Sequence, residues 1–315
     1  MRKLTRLNDW ALQWAQTNPW TNVYGCARSL LATGTLLTLL FNGPAVLFPT
    51  IEGEAVNTTI ELFTGVFEYN FFLLLGPDYF NAFRWLAIAF LIFTAAGYYP
   101  RFTAIIHWWI AVSFPLISTA VDGGDQITAN LCMLLIPICL LDKRKNHWST
   151  DTQANKNPFA RLIAISTCWV IRLQVAVIYL HAATGKFGVE EWVNGTAVYY
   201  WFNHTFFRMP EWIEPFLQPL LTYSLPVFLM TWGAMVFELI LFLGLTMPQK
   251  QRALLLKAGL LFHFFILLIH GLISFYFAMA AALVLYLRPW DKPFNVSVFN
   301  FKAVRYQERW LAESQ

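Results

Sequence analysis

The chain has 315 residues, 57% hydrophobic and only 13% charged, with a formal net charge of +4. A soluble domain carries nearer a quarter charged residues, so packing in water does not account for this composition, whereas lipid as solvent does. The small charge, with no Lys/Arg stripe interleaved with aromatics, excludes a nucleic-acid binder.

Arg2, Lys3 and Arg6 precede a polar stretch, and no cleaved leader is expected, because the first apolar run is long enough to remain as an anchor. Apolar runs over 24–47, 83–99, 102–121, 126–141, 161–183, 223–246, 254–271 and 273–288 predict eight transmembrane helices. About 20 apolar residues cross a bilayer, and fewer suffice where neighbours shelter the helix. Gly124 before the fourth run, Gly271 between the last two and Pro289 after the last mark the breaks. Within 48–82, TTIELFTGVFEYNFFLLLG is too polar for a span and apolar enough for an interfacial or re-entrant helix. The aromatic stretch in 184–222, NGTAVYYWFNHTFFRMPEW, is expected along the outer interface. Cys26, Cys132, Cys139 and Cys168 fall in or beside apolar runs with no CxxC pair, and read as small core residues.

Charge tests the helix count. With the N-terminus inside, Arg101, Lys143, Arg144, Lys145, Lys156, Arg161, Lys250, Arg252, Lys257 and the tail cations all fall on the cytoplasmic side. The outer segments hold only Lys186 and Arg208, beside Glu52, Glu54, Glu61, Glu68, Asp78, Asp122 and Asp125. This obeys the positive-inside rule at every crossing. The expected fold is an all-α integral membrane protein, a bundle of about eight transmembrane helices with a polar cavity at the outer face. It divides into a cytoplasmic segment 1–23, a transmembrane domain 24–288 and a cytoplasmic tail 289–315. The expected location is a cell membrane crossed several times, with both termini cytoplasmic and the helices in contact with membrane lipid.

Ionisable groups at membrane depth are costly and usually face a bundle interior or a cavity. Arg172, Tyr179 and Lys186 recur every seven residues and form one stripe. Arg172 is expected near mid-membrane, paired with Glu238 as a structural ion pair that fixes helix register. Lys186 sits near His181, Glu190 and Glu191 and reads either as a base in an apolar pocket or as a snorkelling interfacial lysine. His181 or Asp125 would relay its proton. Trp192 and Tyr179 would line a binding site. Gln126 and Asn130 share a face at the start of the fourth helix and are candidates to line the cavity, while Asp125 there also suits a helix cap. His263 and His270, seven apart, share a stripe; interhelical hydrogen bonding or a place in the binding site fits them better than a metal, since no HxxxH or HExxH occurs.

Three blocks carry a family resemblance: NPWTNVYGCARSLLATGTLLTLLFN, GGDQITANLCMLLIPICLL and YLHAATGKFGVEEWVNGTAVYYW. They resemble the sporulation-delaying protein B family, among the bacterial proteins with a horizontally transferred transmembrane domain, over roughly residues 15–292. The most specific part is Lys186, Trp192, Gly195 and Ala197. The resemblance implies production of an exported peptide toxin from a secreted precursor, together with a companion maturation protein. The same domain is similar to the membrane part of vitamin K-dependent gamma-carboxylase, and Lys186 matches the lysine that is the base there. That likeness implies a reduced quinone such as menaquinone as cofactor; the residues themselves name none. The spacing to Trp192 is one residue longer than in the carboxylase, and Gly123-Gly124-Asp125-Gln126 stands where an Asn-Asn-His signature would be. A transporter, immunity protein or scaffold is the non-enzymatic alternative.

Overall fold

Every one of the eight apolar runs is a helix. The computed structural model describes residues 14, 16–48, 50–51, 54–55, 69–119, 121–149, 157–205 and 207–295. Its long helices are α1 (Asn22–Phe41), α2 (Phe80–Ala95), α3 (Pro100–Ile117), α4 (Gly123–Leu141), α5 (Pro158–Gly185), α6 (Ser224–Leu243), α7 (Gln249–His270) and α8 (Ile273–Leu287). Among the described residues five helices are long and apolar enough to cross a membrane: α1, α4, α5, α6 and α7; α2 and α8 are shorter apolar helices. The chain is an all-helical membrane protein; among the described residues a short β pairing joins Thr50–Ile51 to Glu54–Ala55.

Local chemistry sets the helix ends. The Thr21 side chain accepts from the Val23 N–H, and Asn157 accepts from that of Phe159, just ahead of Pro158 at the first helical position. A capping box, Asp122 with Asp125, opens α4. Gly271, at φ 70, closes α7 in the left-handed conformation that a glycine adopts without strain. Gly124 is not a break, contrary to expectation. It lies in the first turn of α4, where an added Cβ would sit 2.5 Å from the Phe275 Cα. α7 starts five residues before its apolar run, because the polar QKQRA turn continues the backbone ladder from Pro248. Of the expected interfacial helix within 48–82, residues 49, 52–53 and 56–68 lie outside the described residues. Residues 71–75 form turns in which Phe71 and Phe72 are buried, held by Asn70 Nδ2 on the Ser113 carbonyl at 2.9 Å.

The shortest long helix is the central one. α8, ISFYFAMAAALVLYL, packs against α1, α4, α5 and α7 and buries Ala278 through Val284 without a gap. A helix apolar all round belongs inside a bundle, and its alanines let neighbours approach closely. Gly34 of α1 and Gly259 of α7 do the same from the facing side; a Cβ at Gly259 would lie 2.9 Å from Leu283 Cδ1. A second apolar cluster joins α1, α2 and α3 through Leu39, Phe72, Leu91 and Phe114.

At the end where α4 gives way to α5, the loop 142–149 plugs the bundle. Asp142, fully buried, accepts from Tyr24 and pairs with Arg144 at 2.9 Å. His147, also fully buried, places Nδ1 3.2 Å from Arg28 Nη1 and Nε2 3.1 Å from Ser29 Oγ. Arg28 can only donate, so Nδ1 accepts and Nε2 carries the proton. Ser29 passes its own proton on to the Ala95 carbonyl, 2.6 Å away. Burial, then the charges of Arg28 and Arg144, push the His147 pKa well below the ordinary imidazole value. Gly25 and Gly97 make room: a Cβ on either would come within 2.7 Å of the imidazole.

Candidate functional site

α5 presents Arg172, Tyr179 and Lys186 inward along one stripe, as the seven-residue spacing predicts, but their partners differ from expectation. Glu238 of α6 does not pair with Arg172. It takes the Lys186 ammonium, with Nζ 2.6 Å from Oε2 and 2.7 Å from Oε1. The third ammonium hydrogen goes to the Ala182 carbonyl at 3.1 Å, and the charge stands 5.0 Å from the Trp192 ring centroid. Arg172 is not level with Glu238. It donates to the carbonyl of Arg288, the C-cap of α8, at 2.9 Å, and its guanidinium lies 3.9 Å from the Trp290 ring centroid. The reason is length: α5 runs 28 residues, about 42 Å, and reaches well beyond a 30 Å hydrocarbon layer. Arg172 is the fifteenth of those 28 residues and lies beside the end of α8, with Ala164, Ile165 and Cys168 still buried on its N-terminal side; Lys186 stands about 21 Å further along.

The ion pair forms part of the wall of a cavity of about 790 Å³ between α6 and α7. Its lining is mostly apolar, so the expected polar cavity is in fact an apolar one with a single ion pair and one histidine. α6 contributes Gly233, Ala234 and Phe237 beside Glu238, and α7 contributes Phe262, Phe265 and Ile266. Phe275 of α8 joins them. The covering side comes from the segment after α5, folded into short helices at Lys186–Gly188, Glu190–Val193 and Ala197–Phe202. Two contacts seat that cover on α6. The Val198 N–H donates to Thr231 Oγ1 at 3.2 Å. Gly195, at φ 78, turns so close to Phe228 that a Cβ would be 2.3 Å from the ring. Here the Asn194-Gly195 turn needs glycine for both conformation and space. His270 lines the rim and donates from Nδ1 to the Phe207 carbonyl at 2.6 Å.

One layer behind the ion pair, Tyr179 Oη and His263 Nε2 share a hydrogen bond of 3.0 Å, both side chains almost wholly buried. His263 Nδ1 has no partner among the described residues. Tyr179 lies within electrostatic reach of Glu238, and His263 within that of Lys186. Among the described residues, Lys186 and Glu238 line the cavity, and the Tyr179–His263 pair lies behind them without lining it.

The other candidates stand apart from it. His181 is exposed and does not line the cavity; two residues beyond Tyr179 on a helix is about 200° around, so it points away. Asp125 is buried as half of the capping box, accepting from the Asp122 N–H at 3.0 Å. Its carboxylate serves the helix start, and no hydrogen bond joins it to Lys186 among the described residues. Gln126 and Asn130 are exposed and are not among the lining residues. No group of three metal-ligating side chains occurs among the described residues. Sequence reasoning missed Gly233, Phe237, Phe262 and Phe275. The available signal was the Gly233-Ala234 pair of small residues one turn before Glu238 in a helix of otherwise large side chains.

The HTTM domain model matches residues 128–290, a span that holds both walls of the cavity and the ion pair. Over 291 residues the chain is 36% identical to a Bacillus subtilis (strain 168) protein named Uncharacterized protein YitO, covering 91% of this chain and 92% of that one. Over 278 residues it is 35% identical to the Sporulation-delaying protein SdpB of the same organism, covering 86% of this chain and 83% of SdpB. No solved structure is significantly similar to it.

Proposed function

The chain belongs to the HTTM-domain family, and from that premise we propose that it is a membrane factor for maturation of a secreted antimicrobial peptide toxin. The observation that carries this reading is the likeness to SdpB across 83% of that protein's length. In it the chain spans the bacterial inner membrane eight times, with both termini cytoplasmic. The α6–α7 cavity opens towards the extracytoplasmic face, where the peptide precursor and a companion protein meet it. The Lys186–Glu238 pair is the working polar group of that cavity, with Trp192 beside it. The test is deletion of the chain from a producing strain, with mass spectrometry of the medium and of the cell envelope. The expected result is loss of mature peptide while precursor persists; an undiminished yield of mature peptide refutes the reading. Lys186→Met and Glu238→Gln, restored to the deletion strain, should each fail to recover the yield.

A second reading, a quinone-dependent membrane enzyme, draws on the apolar cavity with its partly buried lysine. The aromatic walls at Trp192, Phe237 and Phe262 suit an apolar ring, and the ion pair suits its oxygens. When bound, a reduced quinone would supply reducing power. Lys186 is engaged through all three ammonium hydrogens, so it acts as a base only after its extra proton has passed to Glu238. Organic extracts of the purified protein that contain no quinone would count against this reading and leave the first untouched.

A further inference from the structure

Three buried N–H groups with no hydrogen-bond partner among the described residues gather where α8 finishes: Trp169 Nε1, Arg172 Nε and Arg288 Nε. They are neighbours. The Arg172 guanidinium lies 5.3 Å from the Trp169 ring centroid and 3.9 Å from that of Trp290, and the two indoles are 5.5 Å apart. Arg172 also donates to the Arg288 carbonyl. All three orphaned atoms are donors, and buried donors in folded proteins are nearly always paired. The carbonyls nearby are already used: Arg288 Nη2 donates to those of Lys292 and Pro293, which leaves the three Nε-type N–H groups without an acceptor among the described residues.

Charge points the same way. Arg252 of α7 is close enough for its charge to act on Arg172. Among the described residues none of Arg172, Arg252 and Arg288 has a carboxylate within ion-pair distance. Asp291 acts on Arg172 at longer range and is itself exposed. Arg252 donates to the Met247 and Leu245 carbonyls, so the positive charge gathered here is met by neutral carbonyls and by one distant carboxylate. Arg172 is about 95% buried while Arg288 is only half-buried, so the cluster reaches the surface through Arg288. Leu173, one turn on from Trp169 along α5, is exposed and apolar.

We infer that the Trp169–Arg172–Arg288 cluster is a binding site for the phosphate of an anionic phospholipid. Guanidinium edges match phosphate oxygens in geometry and charge, and indoles favour headgroup depth. Leu173 supplies apolar surface along which an acyl chain would lie, which a free phosphate would not use. A zwitterionic lipid offers the same phosphate but brings an ammonium that three guanidiniums repel. The inference goes beyond the maturation reading and does not depend on it.

The experiment is native mass spectrometry of the purified full-length protein in detergent. It is titrated in parallel with phosphatidylglycerol, with phosphatidylcholine of the same chains, and with inorganic phosphate. Phosphatidylglycerol should bind at least about tenfold more tightly than phosphatidylcholine, and Arg288→Gln should weaken it about fivefold, the share of one guanidinium at a membrane surface. Arg288 is half-buried at the rim, so its variant is expected to fold. Arg172→Lys keeps the charge but loses the fork, and should weaken binding as well. Arg208→Gln, an exposed change near the opposite end of α7, should leave affinity unchanged. Equal affinity for the two lipids overturns the inference, and so does an Arg288→Gln protein that binds like wild type. Occupancy by inorganic phosphate as tight as that by the lipid overturns the assignment to lipid and makes the site one for a free anion.

Discussion

Removing the Glu238 carboxylate should destabilise the protein more than removing the whole ion pair. In Glu238→Leu the Lys186 ammonium loses both carboxylate oxygens, at 2.6 and 2.7 Å, and keeps only the Ala182 carbonyl and the Trp192 ring. The two side chains are 20% and 12% exposed, so water replaces little of what is lost. Breaking a buried pair from one side costs about 3–5 kcal/mol, and the residual exposure and the cation–π contact place this case near the lower end, about 3 kcal/mol. The double variant Lys186→Met/Glu238→Leu removes both charges and extends the apolar wall, which is often neutral or even stabilising. It should recover most of the loss, with a coupling of about 2 kcal/mol or more. The assay is a double-mutant cycle on unfolding in detergent micelles. Single variants within about 0.5 kcal/mol of wild type, or a double variant whose loss equals the sum of the singles, would refute the geometry of the pair.

Gly233→Phe should fold normally and abolish toxin maturation, because an added Cβ there meets nothing within 4 Å and the ring would fill the cavity; normal peptide yield from a stable variant would remove the cavity from the mechanism. Gly124→Val should destabilise by about 3 kcal/mol, since its Cβ would collide with the Phe275 backbone, which has no flexible end to yield; thermal unfolding in detergent measures it. His147, held below its ordinary pKa by burial, stays neutral in the fold, whereas the unfolded chain takes up a proton below about pH 6.5. Stability is then full above that pH and declines as pH falls below it, by about 1.4 kcal/mol per unit for this group. His147→Gln should flatten that slope, and matching slopes in the two proteins would exclude the histidine as its source.

Much of the architecture can be read directly from the residues, because it rests on periodicity and length. Eight apolar runs are eight helices, Gly271 and Pro289 mark real boundaries, and the Arg172–Tyr179–Lys186 stripe does face inward. Depth cannot be read. An apolar window shows where a helix is greasy, not where it meets its neighbours, so hydropathy sets Arg172 level with Glu238 although it stands beside the last carbonyls of α8. Nearness in sequence also misleads. His181 precedes Lys186 by five residues yet lies on another face, and Asp125 is spent on its own helix start. The cavity is illegible for a different reason: in a helix apolar all round, nothing separates a stripe that faces a groove from one that faces lipid. His147 and Arg28 leave no local pattern, since their bond closes a separation of 119 residues.

The alanine-rich α8 is the post on which α1, α4, α5 and α7 all lean, and it is the last of the eight helices to be synthesised. Until it enters, α4 and α5 touch each other directly, but the slot facing Gly34, Gly124 and Gly259 stays open. Assembly is therefore a late event, a keystone dropped into a waiting arch, and a ribosome paused after α7 would leave an arch still within a protease's reach.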